Sequence, residues 1–403
     1  MQQGKWLRFL DTTPWGTIRC RKGVQRAMPP ISSLHLNTAR SWRGGERQTL
    51  LLLEGLLRRG HQAALVCPPD TPLGRRATAE GISVHALSMR GARDLMKFRH
   101  LVRELNPQII QYHTAHAHSS GLLARIGLGT RSKTIVQRRV GFSIHRSGFP
   151  GLTHLKYGRS VDRFIVSSRQ IARVLQSDGI SEDRIEMIHD GVAPLPAATV
   201  DREQIRRSID LGADAILIGS VGSLTREKGH IHLIDAMALL PNREAQAHLA
   251  LVGDGEQAKL LYDRAKQHRI EDRIHLVGFQ QQEQISSWLG AFDLYLQPSL
   301  EEGLCTSILD ALNLGLPVVA SDVGGIPEVI EDRVTGRLVA PADARQLAQV
   351  IDEILDDPTG ADEMASQGAR RARDLFSADA MVEGTIEVYR QLLEAVPVEE
   401  VVQ

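Results

Sequence analysis

The sequence predicts an α/β protein of two doubly wound domains, each a parallel sheet wrapped by helices, facing one another across a cleft. Three observations carry this expectation. Short β-branched runs alternate with helical periodicity along the chain, the pattern of parallel sheets covered on both faces. The 403 residues, 42% of them hydrophobic, exceed one comfortable core and suffice for two. A Pro/Ala-rich stretch at 192–200 (VAPLPAATV) separates two series of strands.

In the first series, strands are expected near 32–37, 62–67, 108–113, 133–138, 162–167 and 184–189, with a helix over 46–59. In the second they fall near 215–222, 247–253, 273–277, 292–297, 316–321 and 335–340, with helices over 201–211 and 304–314. Helices at 343–356, 360–376 and 378–394 follow, the last with Met381, Thr385, Ile386, Tyr389, Leu392 and Leu393 at helical spacing behind Ser377 as N-cap. The expected domains are 28–195 and 201–377, with the helix 378–394 crossing back to the first. Residues 1–27 carry six Lys/Arg and one acid but lack the apolar core and cleavage site of a secretory signal, so they read as a disordered extension.

Three cysteines, Cys20, Cys67 and Cys305, lack CxxC or CxxH spacing and argue against a disulfide framework or a zinc site. The longest apolar runs, such as 49–57 (TLLLLEGLL), fall short of the roughly 20 residues a membrane helix needs. The expected location is the cytoplasm, with peripheral attachment to the inner face of its membrane. A net charge of zero argues against a nucleic-acid partner, yet the charge is unevenly divided. Residues 28–200 carry 24 basic and 12 acidic residues, whereas 201–403 carry 18 basic and 35 acidic.

Chemistry is densest in 298–328, PSLEEGLCTSILDALNLGLPVVASDVGGIPE. Strand, turn with Glu302-Gly303, and helix in succession aim free backbone N–H groups and a positive helix end at the cleft, which suits a diphosphate or sugar hydroxyls. Glu302 and Asp310, eight residues apart, are expected on one side of that helix, one for a sugar and the other for a ribose. An acid at a helix start is also what the macrodipole favours, so Glu302 alone does not decide the matter. Gly324-Gly325 before Pro327 adds a second loop where a ligand or another backbone comes close.

The order PS-x-E-E-G, seven residues, acid, A-L-x-x-G-x-P-V-V-A-S, G-G-I-P-E resembles the retaining glycosyltransferases of family 4, which have the GT-B fold of two Rossmann-like domains. Further landmarks of that family occur in order: Gly44-Gly45-Glu46, His113, HDGV at 189–192, Gly222 followed by Lys228-Gly229, and Gly253-Asp254-Gly255. The resemblance implies that Lys228 reaches the donor diphosphate and Glu302 the donor sugar, with Gly303, Leu304, Cys305 and Thr306 offering backbone nearby and Asp310 in place of the glutamate that holds the ribose. It implies that the first domain binds the acceptor and the second the nucleotide-sugar donor, and it places Gly222, Ser223, Gly253 and Gly255 at the donor and Gly44 and Gly45 at the cleft. Where many members carry arginine after the first glycine this chain has Ser223, so Arg226 is the expected replacement. His113, Arg138 and Arg139 are cleft candidates; only one of the two arginines can point into a given face, and its partner is either the donor phosphate or an anionic acceptor.

Residues 253–258 (GDGEQA) fit a dinucleotide fingerprint, but they do not sit at the first βα turn of their domain, where that fingerprint belongs. His113, His116 and His118 form an H-x-x-H-x-H cluster without a cysteine or acid, and the resemblance implies no metal and no cofactor. The expected activity is therefore metal-independent, retaining transfer from a nucleotide-diphosphate sugar to an anionic glycan or lipid-linked acceptor. An epimerase of the same fold and a non-catalytic sugar-nucleotide-binding protein are the alternatives. Arg90, Arg93 and Lys97, interleaved with Leu95, Met96 and Leu101, recur at helical spacing and suit an anionic membrane surface.

Overall fold

The computed structural model describes residues 29–145, 156–158, 160–212, 214–240 and 246–394. The expected extension 1–27 lies outside the described residues. The first domain runs β1 (Ser32–Leu36), α1 (Gly44–Arg58), β2 (Gln62–Cys67), α2 (Pro72–Ala79), β3 (Ser83–Ala86), α3 (Ala92–Leu105), β4 (Ile109–Tyr112), α4 (Ala115–Arg125), β5 (Lys133–Arg138), β6 (Arg163–Val166), α5 (Arg169–Ser177) and β7 (Ile185–Met187). The second runs α6 (Arg202–Arg207), β8 (Ile216–Val221), α7 (His230–Leu239), β9 (Ala247–Val252), α8 (Ala258–His268), β10 (Ile274–Gly278), α9 (Gln282–Ala291), β11 (Leu294–Gln297), α10 (Thr306–Asn313), β12 (Val318–Ser321), α11 (Ile326–Val329) and β13 (Arg337–Val339). Then come α12 (Ala344–Asp356), α13 (Pro358–Leu375) and α14 (Ala378–Glu394).

The strands form two parallel sheets, ordered β3-β2-β1-β4-β5-β6-β7 and β10-β9-β8-β11-β12-β13. Their central strands are nearly continuous apolar runs because helices cover both faces; β2 (QAALVC) and β9 (AHLALV) are examples. Each sheet separates two apolar cores, one per face. The sequence reading missed β3, an edge strand of four partly covered residues, SVHA, whose sides never alternate cleanly between buried and exposed.

The chain passes between the domains twice at one place. Val192 and Ser377 form a parallel bridge, with Val192 N–H donating to Phe376 O at 2.9 Å and Ala378 N–H to Val192 O at 3.0 Å. Beyond this crossing α14 lies against α1: Met381, Val382, Ile386, Tyr389 and Leu392 share a core with Leu52, Leu53 and Leu56. Gly55 permits the approach, because a Cβ there would overlap the Val382 side chain.

Candidate active site

Both sheets reverse their winding, between β1 and β4 in the first and between β8 and β11 in the second. In open parallel sheets, ligands sit outside the carboxyl ends of the strands at such a switch point. A cavity of about 660 Å³ occupies that position between the domains. Ser41 to Gly45, Arg47, Pro72, Arg139 and Asp190 face it from the first domain. The second contributes Gly222, Ser223, Glu227, Lys228, Gly253, Asp254, Phe279, Gln280, the stretch Glu302 to Ser307, and Asp310.

At the β8/β11 switch, Lys228 Nζ donates to Glu302 Oε1, and Ser299 Oγ donates to the same oxygen at 2.8 Å. Behind Ser299 a buried ladder of polar groups continues along β11. Gln297 Nε2 donates to Ser299 Oγ at 2.9 Å, while Gln297 Oε1 accepts from Tyr295 Oη at 2.8 Å and from Ser307 Oγ at 3.2 Å. Glu302 is thereby held in one place by groups whose own rotamers are locked by packing. Burial would depress the Lys228 ammonium, but the adjacent Glu302 carboxylate outweighs it and holds the group above the ordinary lysine range.

Backbone contacts fix the two loops that carry this pair. Leu300 N–H donates to Glu227 O at 2.8 Å, tying the loop after β11 to the one after β8. Gly229 has φ 65°, and a Cβ there would strike Pro298 O, so glycine is needed on both counts. Cys305, the N-cap of α10, adopts φ 71° without being glycine, a strained conformation of the kind that persists at functional sites. Its thiol is buried and pushed up to about 12, first by burial and then by Glu302, so it remains protonated. Gly324 and Gly325 would clash through a Cβ with Glu302 O and Gly303 O. Their loop is thus packed against backbone, supporting the site from behind.

From the opposite wall, α1 begins at Gly44, earlier than expected, so Gly44 and Gly45 form its first turn and have no carbonyl one turn back to bond. A Cβ on Gly44 would lie 3.4 Å from Thr306 Oγ1, the first residue of α10. Two helix N-termini therefore converge in the cavity, an arrangement that favours anions. One turn further along each helix, Arg47 and Asp310 form a two-point ion pair across the cleft, 2.5 Å for Nη1–Oδ2 and 3.0 Å for Nη2–Oδ1. Burial raises the Asp310 carboxyl above its ordinary range, and Arg47 opposes that shift. Beside this pair Arg139 Nε donates to Asp190 Oδ1 at 2.7 Å.

Of the residues singled out from sequence, Lys228, Glu302, Gly222, Ser223, Gly253, Gly303, Leu304, Cys305, Thr306, Asp310, Gly44, Gly45 and Arg139 line the cavity. Four others do not. Arg226 is exposed and does not line the cavity, whereas Arg47, from the other domain, does. Gly255 serves as a packing position, where a Cβ would overlap the Leu224 carbonyl. Arg138, last residue of β5, faces away from Arg139 as strand alternation requires; its Nη2 donates to Phe142 O at 2.5 Å. His113 turns inward onto His35, Nε2 to Nδ1 at 3.0 Å, and burial holds its pKa well below the usual value.

Two further expectations change in detail. Glu302 precedes α10 instead of riding on it, since that helix starts at Thr306. The histidines of the H-x-x-H-x-H cluster diverge: His118 is buried between Tyr112 and Tyr157, while His116 lies exposed near Ser120. Sequence reading gave no role to Arg47, Ser299 or Asp190, although Ser299 lies in PS-x-E-E-G and Asp190 in HDGV. Arg47 follows the Gly44-Gly45-Glu46 landmark directly, which is the one signal that marked it.

Comparison with known proteins agrees with this geometry. The family model for glycosyltransferase family 4 matches residues 42–194, and that for glycosyl transferases group 1 matches 201–373. The lipopolysaccharide core biosynthesis glycosyltransferase LpsE of Rhizobium meliloti is 27% identical over 88% of this chain and 96% of its own. An uncharacterized glycosyltransferase of Methanocaldococcus jannaschii is 28% identical over 53% of this chain, which spans only 55% of that relative's length. The structure of HepE from Anabaena in complex with UDP and glucose superposes with a TM-score of 0.79 at 20% identity, over 91% of this chain and 100% of that one. The chain has the GT-B fold. It belongs to the family 4 type, with the family 4 model on its first domain and the group 1 model on its second.

Proposed function

We propose that the protein transfers a sugar, with retention and without a metal, from a nucleotide-diphosphate donor to an anionic glycan or lipid-linked acceptor of the cell envelope. The observation that carries this reading is the Lys228–Glu302 pair set beside the converging N-termini of α1 and α10. As the glycosidic bond to the diphosphate breaks, negative charge grows on the leaving group. Lys228 and the two helix ends supply fixed positive potential where that charge develops, which is the task a metal performs elsewhere. Asp190, Glu302 and Asp310 each hold a cation, and in this reading the departing diphosphate is the base that takes the acceptor proton during attack on the same face. A donor carrying UDP agrees with the complex known for HepE.

The acceptor reading rests on charge and on LpsE, whose name places it in lipopolysaccharide core biosynthesis. The first domain carries the basic excess, and the outer face of α3 presents Arg93, Met96 (63% exposed), Lys97 and Arg103 to solvent. Leu95 and Leu101 turn into the core, so the apolar contribution of this face is Met96. Among the described residues no helix is long and apolar enough to cross a membrane. Docking from the cytoplasmic side would then be peripheral and electrostatic, each basic residue near an anionic leaflet contributing about 1 kcal/mol.

A panel of UDP-, GDP- and ADP-sugars, read out by released nucleotide and product chromatography, tests this. Hydrolysis or transfer with one donor class and none by Glu302→Gln is expected. Epimerised donor formed without acceptor, or binding without turnover for every donor, would replace the transferase reading with one of the two alternatives.

A further inference from the structure

Three cations reach deep into the cavity, and each is neutralised by a carboxylate: Lys228 by Glu302, Arg139 by Asp190, and Arg47 by Asp310. The first pair lies within the second domain and Arg139–Asp190 within the first. Arg47–Asp310 alone among these three joins one domain to the other. Both of its side chains are largely covered, 13% and 7% exposed, and both Asp310 oxygens are taken by Arg47. Each Asp310 oxygen thus already accepts one guanidinium N–H, and its remaining lone pairs face a cavity that it helps to line.

The pair also flanks the point where the two helix N-termini meet. Gly44 opens α1 and Thr306 opens α10, close enough that a Cβ on the glycine would touch the threonine hydroxyl. Arg47 is three residues on from Gly44, Asp310 four on from Thr306, so each stands about one turn from the anion-favouring spot. Ser223, which follows Gly222 in the cavity wall, is neutral, and Arg226 lies outside the cavity.

We infer that Arg47 is a donor-diphosphate ligand supplied by the acceptor domain, and that Asp310 keeps it until the donor arrives. The inference rests on the nucleotide-diphosphate reading above. When a nucleoside diphosphate enters, its phosphate oxygens accept from the planar Arg47 fork, a match that guanidinium makes at two points. Its ribose hydroxyls donate to the Asp310 carboxylate in place of the two guanidinium N–H groups. Both buried charges are partnered before and after, so the exchange leaves neither one stranded. One ligand thereby replaces a direct ion pair between the domains with a bridge through itself, and only a molecule bearing both ribose and phosphate completes it.

Calorimetry on the full chain with UDP and GDP, using uridine and guanosine as phosphate-free controls, tests the exchange. Arg47→Ala is expected to weaken diphosphate binding at least about 10-fold while nucleoside binding moves less than about twofold; Arg47→Lys, which keeps the charge but loses the fork, should fall between. Asp310→Asn should raise the ratio of diphosphate to nucleoside affinity, because it releases Arg47 and weakens the ribose contact. An unchanged ratio in Asp310→Asn, or an equal loss for both ligands in Arg47→Ala, would assign the pair a purely structural role. Thermal melts accompany each variant, and a collapsed Arg47→Ala leaves Arg47→Lys and Asp310→Asn to decide by the same ratio. A wild type that binds neither diphosphate overturns the donor reading itself, and this inference with it; normal wild-type binding with an unmoved ratio overturns this inference alone.

Discussion

The two domains share a topology and differ in how they hold their charges. In the second, cation and carboxylate meet at one switch point, on loops pinned to each other by backbone bonds such as Leu300 N–H to Glu227 O. In the first, the charges are basic residues spread over the cleft wall and outer helices, and the interior is unusually rich in uncharged histidine. The difference teaches that one half concentrates its charge at a single fixed point, whereas the other spreads it over a surface. Under the proposed function the first arrangement suits a defined charge on a defined atom and the second a larger anionic acceptor.

The sharpest way to break this division is Glu302→Gln. It should leave the fold intact by circular dichroism and lower turnover at least about 100-fold, since it removes a positioned group next to developing charge. Near-normal turnover would remove the second domain's claim to the chemistry. Next in size, Lys228→Ala should weaken binding of diphosphates by about 10-fold or more and of nucleosides hardly at all, a selectivity that isothermal titration reads directly. Equal weakening of both would recast the lysine as a structural partner of Glu302.

Acid should separate the halves as well. His35 and His118 in the first domain are lowered to about 3 by burial and His113 is held well below its usual value, whereas the second domain has His230 alone lowered to about 3. Each folded-state value lies below the unfolded value of about 6.5, so the unfolded chain binds more protons. The stability these groups contribute is complete above about pH 6.5 and is lost as pH falls toward about 3. Hydrogen exchange at pH 4.5 should therefore show the first sheet losing protection before the second; the reverse order would contradict the assignment.

Flotation with liposomes probes the outer surface of the first domain. Binding should rise with anionic lipid and fall by 0.5 M salt, where screening reaches within about 5 Å, and Arg93→Glu with Lys97→Glu should reduce it without altering donor hydrolysis. Equal binding to neutral and anionic vesicles would point to a soluble acceptor. The smallest effect expected is that of EDTA on turnover, which is none; activity lost to the chelator and restored by Mg²⁺ or Mn²⁺ would show that fixed cations do not suffice.

The same contrast governs what could be read from residues alone. Around Glu302, motif, strand and helix lie within a few dozen residues, so their order identified the donor side and most of its lining. The edge strand β3 escaped because half-covered residues give no alternation to read. Arg226 was expected at the cavity as the replacement for the arginine that the family carries where this chain has Ser223, whereas it opens a three-residue turn in which its side chain is exposed and does not line the cavity. Arg47 and Asp310 lie 263 residues apart, and no local pattern announces a contact that only the docking of two domains creates. His113 drew notice as a family landmark after a strand, yet its Nε2 bonds to His35 in the interior, away from the cavity.

The return of α14 to the first domain has a consequence for biosynthesis. Domains emerging from a ribosome ordinarily fold in the order in which they are made, at about 5–20 residues per second. Here the first sheet and α1 are translated early, but Met381, Val382, Ile386, Tyr389 and Leu392 of their shared core are added nearly 200 residues after β7. The nascent first domain must wait, with the faces of Leu52, Leu53 and Leu56 uncovered by α14, while the entire second domain is synthesised. The second-made domain has its last strand, β13, by Val339, before α14 is made to cover the first, so the core of the domain made first is the last to be completed.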